Sequence, residues 1–298
     1  MKSPAAYAAA IRYTMIVWHC KCKKYITLVL QMKMGTSTLT LGYGHYLGHN
    51  NRSLQSSGLV VSEITYHTKV FEGWHSHEHA HISFLLKGGN REQRQGREEE
   101  YTMGNIVYYH AGEKHRNTHT QHPSKNLNLE IAGTFIKQYQ LTEALLHKAI
   151  SRQHAPFTML RIYKELLADD TVAAPTMVML LLELLQEGVT EKSAAPKWVS
   201  IIRELMQDCW DEPLTLTDLA EATGVHPITI SKHFSQYFGC TFGAYMRKLR
   251  VAKSMPMIRA GENSLTEIAY TCQFADQSHF TRTFKSLTGL LPRQYRNI

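Results

Sequence analysis

The chain has 298 residues, of which 43% are apolar and 19% charged. That balance excludes a disordered protein and gives enough length for two domains, each with its own core. The formal charge of +8 is unevenly placed. Residues 1–35 carry +6, residues 36–195 carry −1 and residues 196–298 carry +3, so charge alone does not identify an acidic partner.

Five cysteines stand at positions 20, 22, 209, 240 and 272. Their odd number and wide spacing argue against a disulfide framework and fit a reducing, cytoplasmic setting. Cys209, Cys240 and Cys272 lie in apolar helical stretches and read as small core residues.

Residues 1–55 read as a poorly defined basic extension. Its first apolar stretch, Ala8 to Val17, is too short to span a membrane and is interrupted by Arg12. No small-residue cleavage site follows it. His19-Cys20-Lys21-Cys22 offers two thiols without a second pair, a weak metal signal. An untidy extension, or a start placed too early with Met32 or Met34 as the true one, is the favoured reading of the segment.

Residues 56–135 read as a small barrel or sandwich. Val60, Ser62, Ile64 and Tyr66 share one strand face. His81 to Leu86 is an apolar run expected to end at Gly88-Gly89. Ile106 to Tyr109 is bounded by glycines, and Leu127 to Ile131 alternates apolar and polar. Residues 136–190 change to a helical period. Met177 to Leu185 is apolar nearly all round, as in a helix buried on every side, and is expected to mediate a homodimer. Residues 188–196 are small and polar and end at Pro196, which is linker chemistry.

Residues 197–298 contain one design twice. Thr215 and Asp218 open the first copy, and Ser264 and Glu267 open the second, each as a helix-starting capping box or a looser version of one. A tight turn and a second short helix follow each box. That helix starts at Pro227 in the first copy and after Asp276 in the second. Each second helix keeps an aromatic for the core, Phe234 and Phe284. These are two helix-turn-helix units joined by a helix over roughly Thr241 to Arg259, a plan that sets two reading helices about 34 Å apart on duplex DNA. Helical spacing turns Ile228, Ser231 and Lys232 outward in the first unit, and Gln277, Ser278, Thr281 and Arg282 in the second.

From Leu214 to Arg296 the sequence resembles the AraC/XylS family of transcription regulators. The match runs through Leu219-Ala220, Gly224-Val225, Phe234, Gly239, Tyr245, Lys248-Leu249-Arg250, Glu267-Ile268-Ala269, Phe274, Asp276-Gln277-Ser278, Phe280, Arg282, Phe284-Lys285, Gly289 and Pro292. The resemblance implies double-stranded DNA as partner, with the outward residues at base edges. Lys285, Lys248 and Arg250 then take phosphate contacts or structural ion pairs. It also implies a small-molecule effector, contact with RNA polymerase and activation as the commoner mode of action. Two positions depart from the family pattern. Pro256 falls inside the connecting helix, where it is expected to kink or end it. Gln273 stands where glycine is common, which is tolerable only if the turn needs no positive φ.

Residues 58–134 resemble the cupin domains found in front of many such regulators. His75-Ser-His77, Gly88, Gly104, Gly112 and His115 match the two cupin motifs, with His81 in place of the usual glutamate and His110 in place of the usual proline. The resemblance makes His75, His77, His81 and His115 effector or metal candidates, a set suited to a divalent ion such as zinc, nickel, copper or iron. Glu72, Glu78 and Glu113 are isolated in the sequence, and no nucleophile–base set stands out. The resulting reading is an α+β regulator and not an enzyme: an N-terminal cupin-like barrel with a helical extension, then an all-α double helix-turn-helix domain. The alternative is a metal-responsive regulator, or a cupin-type metalloenzyme fused to a DNA-binding tail.

Overall fold

The computed structural model describes residues 38–186 and 195–298. The first 37 residues, with Cys20 and Cys22, and most of the expected linker lie outside the described residues.

Eight strands form one curled, mixed sheet: β1 (Leu39–Leu41), β2 (His49–Ser56), β3 (Leu59–Tyr66), β4 (His75–His77), β5 (Ala80–Arg94), β6 (Arg97–Thr102), β7 (Ile106–Tyr109) and β8 (His115–Ile131). β8 pairs antiparallel with β3, β4 and β5, while β1 runs parallel to β4. The sheet therefore takes in β1 and β2, upstream of the boundary expected at residue 56. Those two strands are short or mostly exposed and polar, so they carry little hydrophobic period to read.

β5 does not end at Gly88-Gly89 as expected. It bends there, with register shifts against β8, and continues to Arg94. Gly88 has φ 71°, and a Cβ on it would lie 2.7 Å from the Gln121 carbonyl oxygen. The glycine lets two backbones approach; it does not break the strand.

Period-two alternation divides the sheet into two faces. Leu59 and Val61 of β3, Ile82, Phe84 and Leu86 of β5, and Leu127, Leu129 and Ile131 of β8 are buried in one apolar core with four helices. These are α1 (Gly133–Gln138), α2 (Glu143–Ile150), α3 (Ala155–Ala168) and α4 (Ala173–Gln186). The alternate residues, including Ser83, Asn126 and Asn128, line a recess on the opposite face. α4 is not buried on all sides: Met177, Leu181 and Leu184 face the core, whereas Met179 is 66% exposed.

The C-terminal part is all helical: α5 (Lys197–Asp208), α6 (Leu216–Thr223), α7 (Pro227–Phe238), α8 (Phe242–Ala260), α9 (Leu265–Thr271), α10 (Gln277–Thr288) and α11 (Pro292–Arg296). Its two halves close different cores. Ile202, Met206, Leu219, Ile230, Phe234, Met246 and Leu249 form the first. The second half, with Ile258, Ile268, Phe280 and Phe284, is continuous with the core of α3, α4 and the sheet.

α8 passes through Pro256 without ending. The proline is exposed, so the carbonyl it leaves without a donor, one turn earlier, lies on the solvent side. Of the three cysteines expected in the core, only Cys272 is buried; Cys209 and Cys240 are half-buried. Among the described residues, no helix is long and apolar enough to cross a membrane.

Candidate nucleic-acid interface and sensor cavity

Both capping boxes form. Thr215 Oγ1 accepts from the Asp218 amide at 3.3 Å, and Asp218 Oδ2 accepts from the Thr215 amide at 2.7 Å. Ser264 and Glu267 make the same reciprocal pair at 3.2 and 2.7 Å. The reading helices are capped as well. The Ile228 amide donates to His226 Nδ1 at 3.3 Å, and the His279 amide donates to Asp276 Oδ1 at 2.7 Å. Gly224, Gly239 and Gly289 terminate α6, α7 and α10 in the left-handed region.

These caps fix which side chains face out. In α7, Ile230 and Phe234 are buried, while Ser231, Lys232 and Ile228 are exposed, Ile228 at 71%. An isoleucine left that open has no partner within the fold. In α10, Phe280 and Phe284 are buried; Ser278, Arg282 and Lys285 are exposed and Thr281 is half-buried. Gln277 is also half-buried, and its Oε1 accepts from Thr266 Oγ1 at 2.6 Å.

Arg250 is structural. It donates to the carbonyls of Trp210, Glu212 and Gln273 at 3.0, 2.8 and 3.3 Å, tying the first unit to the turn of the second. That turn holds Gln273 at φ 57°, the conformation that glycine would adopt at least cost.

The sheet's polar face forms a recess of about 460 Å³, including its open mouth. His75 and His77 on β4 and His115 at the start of β8 meet in it. Each offers one ring nitrogen, and the three nitrogens lie within 4.8 Å of one another. Strand alternation puts His75 and His77 on one face, and the antiparallel register sets His115 opposite His75. His81 does not join this group: its ring stacks on Tyr109 at 4.3 Å and leans on His77. The expected four-imidazole set is thus a three-imidazole set with a neighbour. A residue six positions along the chain, on β5, approaches from another strand and stacks where the motif's carboxylate was expected.

Burial, and then the proximity of the other rings, holds His75 down at about 4 and His77 at about 3. Burial likewise lowers His115 to about 4. All three are neutral at pH 7, the form that ligates metal. Nδ1 of His75 is 3.2 Å from the Gly73 carbonyl, and Nδ1 of His115 is 3.0 Å from the Glu113 carbonyl. A carbonyl can only accept, so both rings donate through Nδ1 and keep the Nε2 lone pair free. The buried Nδ1 of His77 has no hydrogen-bond partner. The donor set fits a divalent cation.

Sequence reasoning missed the rest of the recess. Glu92 is buried at its wall, accepting from Arg94 Nε at 2.8 Å and from the Tyr109 hydroxyl at 2.8 Å. Arg94 also donates to Glu113 at 3.1 Å, so Glu113 is not isolated. Tyr46, from the segment between β1 and β2, lies 5.0 Å from His77, ring to ring. Asn126 and Asn128 each leave a buried polar atom without a partner facing this side. The alternation of asparagine with leucine along β8 was the available signal. A polar stripe on a strand whose other face is pure core marks a lined cavity.

A family model described as a helix-turn-helix domain matches residues 219–298. The transcriptional activator RhrA of Rhizobium meliloti is 36% identical over 104 residues, which cover 34% of this chain and 33% of the relative. The HTH-type transcriptional activator RhaS of Salmonella arizonae is 29% identical over 120 residues, covering 40% of this chain and 42% of the relative. The chain thus spans about a third to two fifths of the length of the curated relatives it matches. Among solved structures, an AraC-type regulator from Chromobacterium violaceum is 26% identical over 34% of this chain and 89% of its own, with a TM-score of 0.32, too low to carry weight. Two capped helix-turn-helix units on one connecting helix, with a matching family model and relatives named as transcriptional activators, make residues 219–298 of this chain a helix-turn-helix domain.

Proposed function

We propose that the chain is a cytoplasmic, sequence-specific DNA-binding regulator, an activator of transcription, that responds to a small molecule held in its N-terminal sheet. The observation that carries the DNA-binding part is the pair of capped units whose exposed residues Ile228, Ser231, Lys232, Ser278, Arg282 and Lys285 have no role in either core. Gln277 and Thr281 complete the second reading surface, with Gln277 released from Thr266 when it meets a base. Arginine suits guanine and glutamine suits adenine in the major groove.

In this reading residues 56–135, together with β1 and β2, are a cupin-like sensor. Residues 136–190 are its helical extension and 197–298 the DNA-binding domain. The exposed Met179 on α4 supports pairing with a second copy. Activation, the mode named for the relatives RhrA and RhaS, would bring the chain into contact with RNA polymerase.

The test is selection from a random duplex pool by the purified full-length chain. Enrichment of two short motifs about 10 base pairs apart is expected. Retention of DNA without enrichment, lost as salt rises, is the non-specific outcome that contradicts it.

One observation favours a second reading of the sensor. His75, His77 and His115 converge with neutral rings, His75 and His115 with free Nε2 atoms, so a divalent ion held there would offer an open coordination position to the effector or be the signal itself.

A further inference from the structure

The two reading helices are not held alike. α7 belongs to a unit that closes its own core around Leu219, Ile230 and Phe234. α10 belongs to a unit whose core runs on into α3 and the sheet. One close point of the junction lies where α10 ends. Its last residues close on Gly289, at φ 77°. A Cβ on that glycine would lie 3.0 Å from Lys164 Cδ, 3.6 Å from Arg161 Cγ and 3.8 Å from Arg161 Cα. The end of α10 therefore rests on the helix of the sensor half, where a Cβ would press on the Lys164 stem.

Two cations at that spot have a physical meaning. A helix C-terminus carries partial negative charge on carbonyls that lack intrahelical donors, and lysine or arginine there is favourable. Arg161 and Lys164 come from another element, and their aliphatic stems join α3 to the end of α10 across the junction. Their own acidic neighbours hold them weakly: Glu183 lies 3.5 Å from Arg161 and Glu165 lies 3.5 Å from Lys164, all but Glu165 well exposed. A second tie falls on the same unit. Arg259, near the end of α8, donates to Met103 Sδ in the β6–β7 turn at 3.1 Å and to the Tyr295 and Arg296 carbonyls at 3.1 Å. On its inner side α3 is anchored to the sheet, where the Tyr163 hydroxyl donates to Glu63 of β3 at 2.9 Å.

We propose that Arg161 and Lys164 are positioning residues for the second reading helix, through which the state of the sensor sheet reaches α10 and not α7. The proposal rests on the DNA-binding reading above and names its route of regulation. In it the first head is the constant element on DNA and the second the regulated one.

Hydrogen–deuterium exchange on the full-length chain, without DNA or effector, tests it. In the Arg161→Glu/Lys164→Glu variant, amides of α9–α11 are expected to exchange at least roughly threefold faster, while those of α5–α7 and of the sheet keep their rates. The Arg161→Lys/Lys164→Arg variant keeps both charges and should restore the original rates. Unchanged exchange in α9–α11, or an equal rise in α5–α7 or the sheet, overturns the proposal. No DNA enters the measurement, so its failure is separate from failure of the DNA-binding reading, which the duplex selection decides.

Discussion

His75 and His115 face each other across the β4–β8 pair, ring centroids 4.3 Å apart, each with its Nδ1 against a backbone carbonyl. Two rings oriented by separate carbonyls cannot both turn away from the recess without breaking those bonds. With His77 they form a preset donor group, whose burial cost is offset if an ion or a polar ligand occupies it.

Metal content is the direct check on that group. The full-length chain without an affinity tag, equilibrated with zinc and dialysed, should hold one equivalent by mass spectrometry. The His75→Ala/His115→Ala variant should hold none. Equal metal in both would place the binding elsewhere.

The same rings make stability depend on pH in the metal-free protein. Unfolded imidazoles titrate near 6.5, whereas His75, His77 and His115 titrate near 4, 3 and 4 in the fold. Between those values the unfolded state takes up protons that the folded state refuses. Stability is therefore complete above about pH 6.5 and is lost as pH falls toward 4. Glu130 works the other way. Burial raises its carboxyl to about 7, so its ionisation takes stability away as pH rises from about 4.5 through 7. Four depressed imidazoles, His81 among them, outweigh the two raised carboxyls of Glu92 and Glu130, and the urea midpoint should climb from pH 4.5 to 6.5 and level off or dip near 7. Glu130→Gln should remove the dip. A midpoint flat from pH 4.5 to 7 would contradict the assignment.

Gln273 stores strain at the turn of the second unit. A non-glycine residue in the left-handed region costs about 1–2 kcal/mol, and this one is held at φ 57° with its carbonyl receiving Arg250. Gln273→Gly should stabilise the chain by about 0.5–1 kcal/mol, the gain being reduced by glycine's greater freedom when unfolded. Chemical denaturation measures it, and a loss of stability would mean that the Gln273 side chain makes a compensating contact.

Much of the C-terminal third was legible because its signals are local. Thr215–Asp218 and Ser264–Glu267 announce helix starts within four residues, and Ile230, Phe234, Phe280 and Phe284 keep helical time. The recess of the N-terminal sheet was harder because it is assembled across strands. The two histidines of β4 reveal their common face through spacing alone. The stacking of His81 on Tyr109, the Glu92–Arg94 pair and the arrival of Tyr46 depend on register and on a segment with no period. Charge alone did not decide between roles: Arg250 was open to a phosphate contact or a structural ion pair in sequence, and it donates to three carbonyls.

DNA reading by the exposed faces of α7 and α10 is the core of the proposed function. Its most direct test is the affinity of the full-length chain for a duplex selected by the wild type, compared with Lys232→Ala and Arg282→Ala at fixed salt. Arg282→Ala should cost about 1–3 kcal/mol and relax preference at one base pair of one half-site, as loss of a base contact does. Lys232→Ala should weaken binding at the other half-site. Unchanged affinity and unchanged sequence preference in both variants, with the fold intact, would contradict the account.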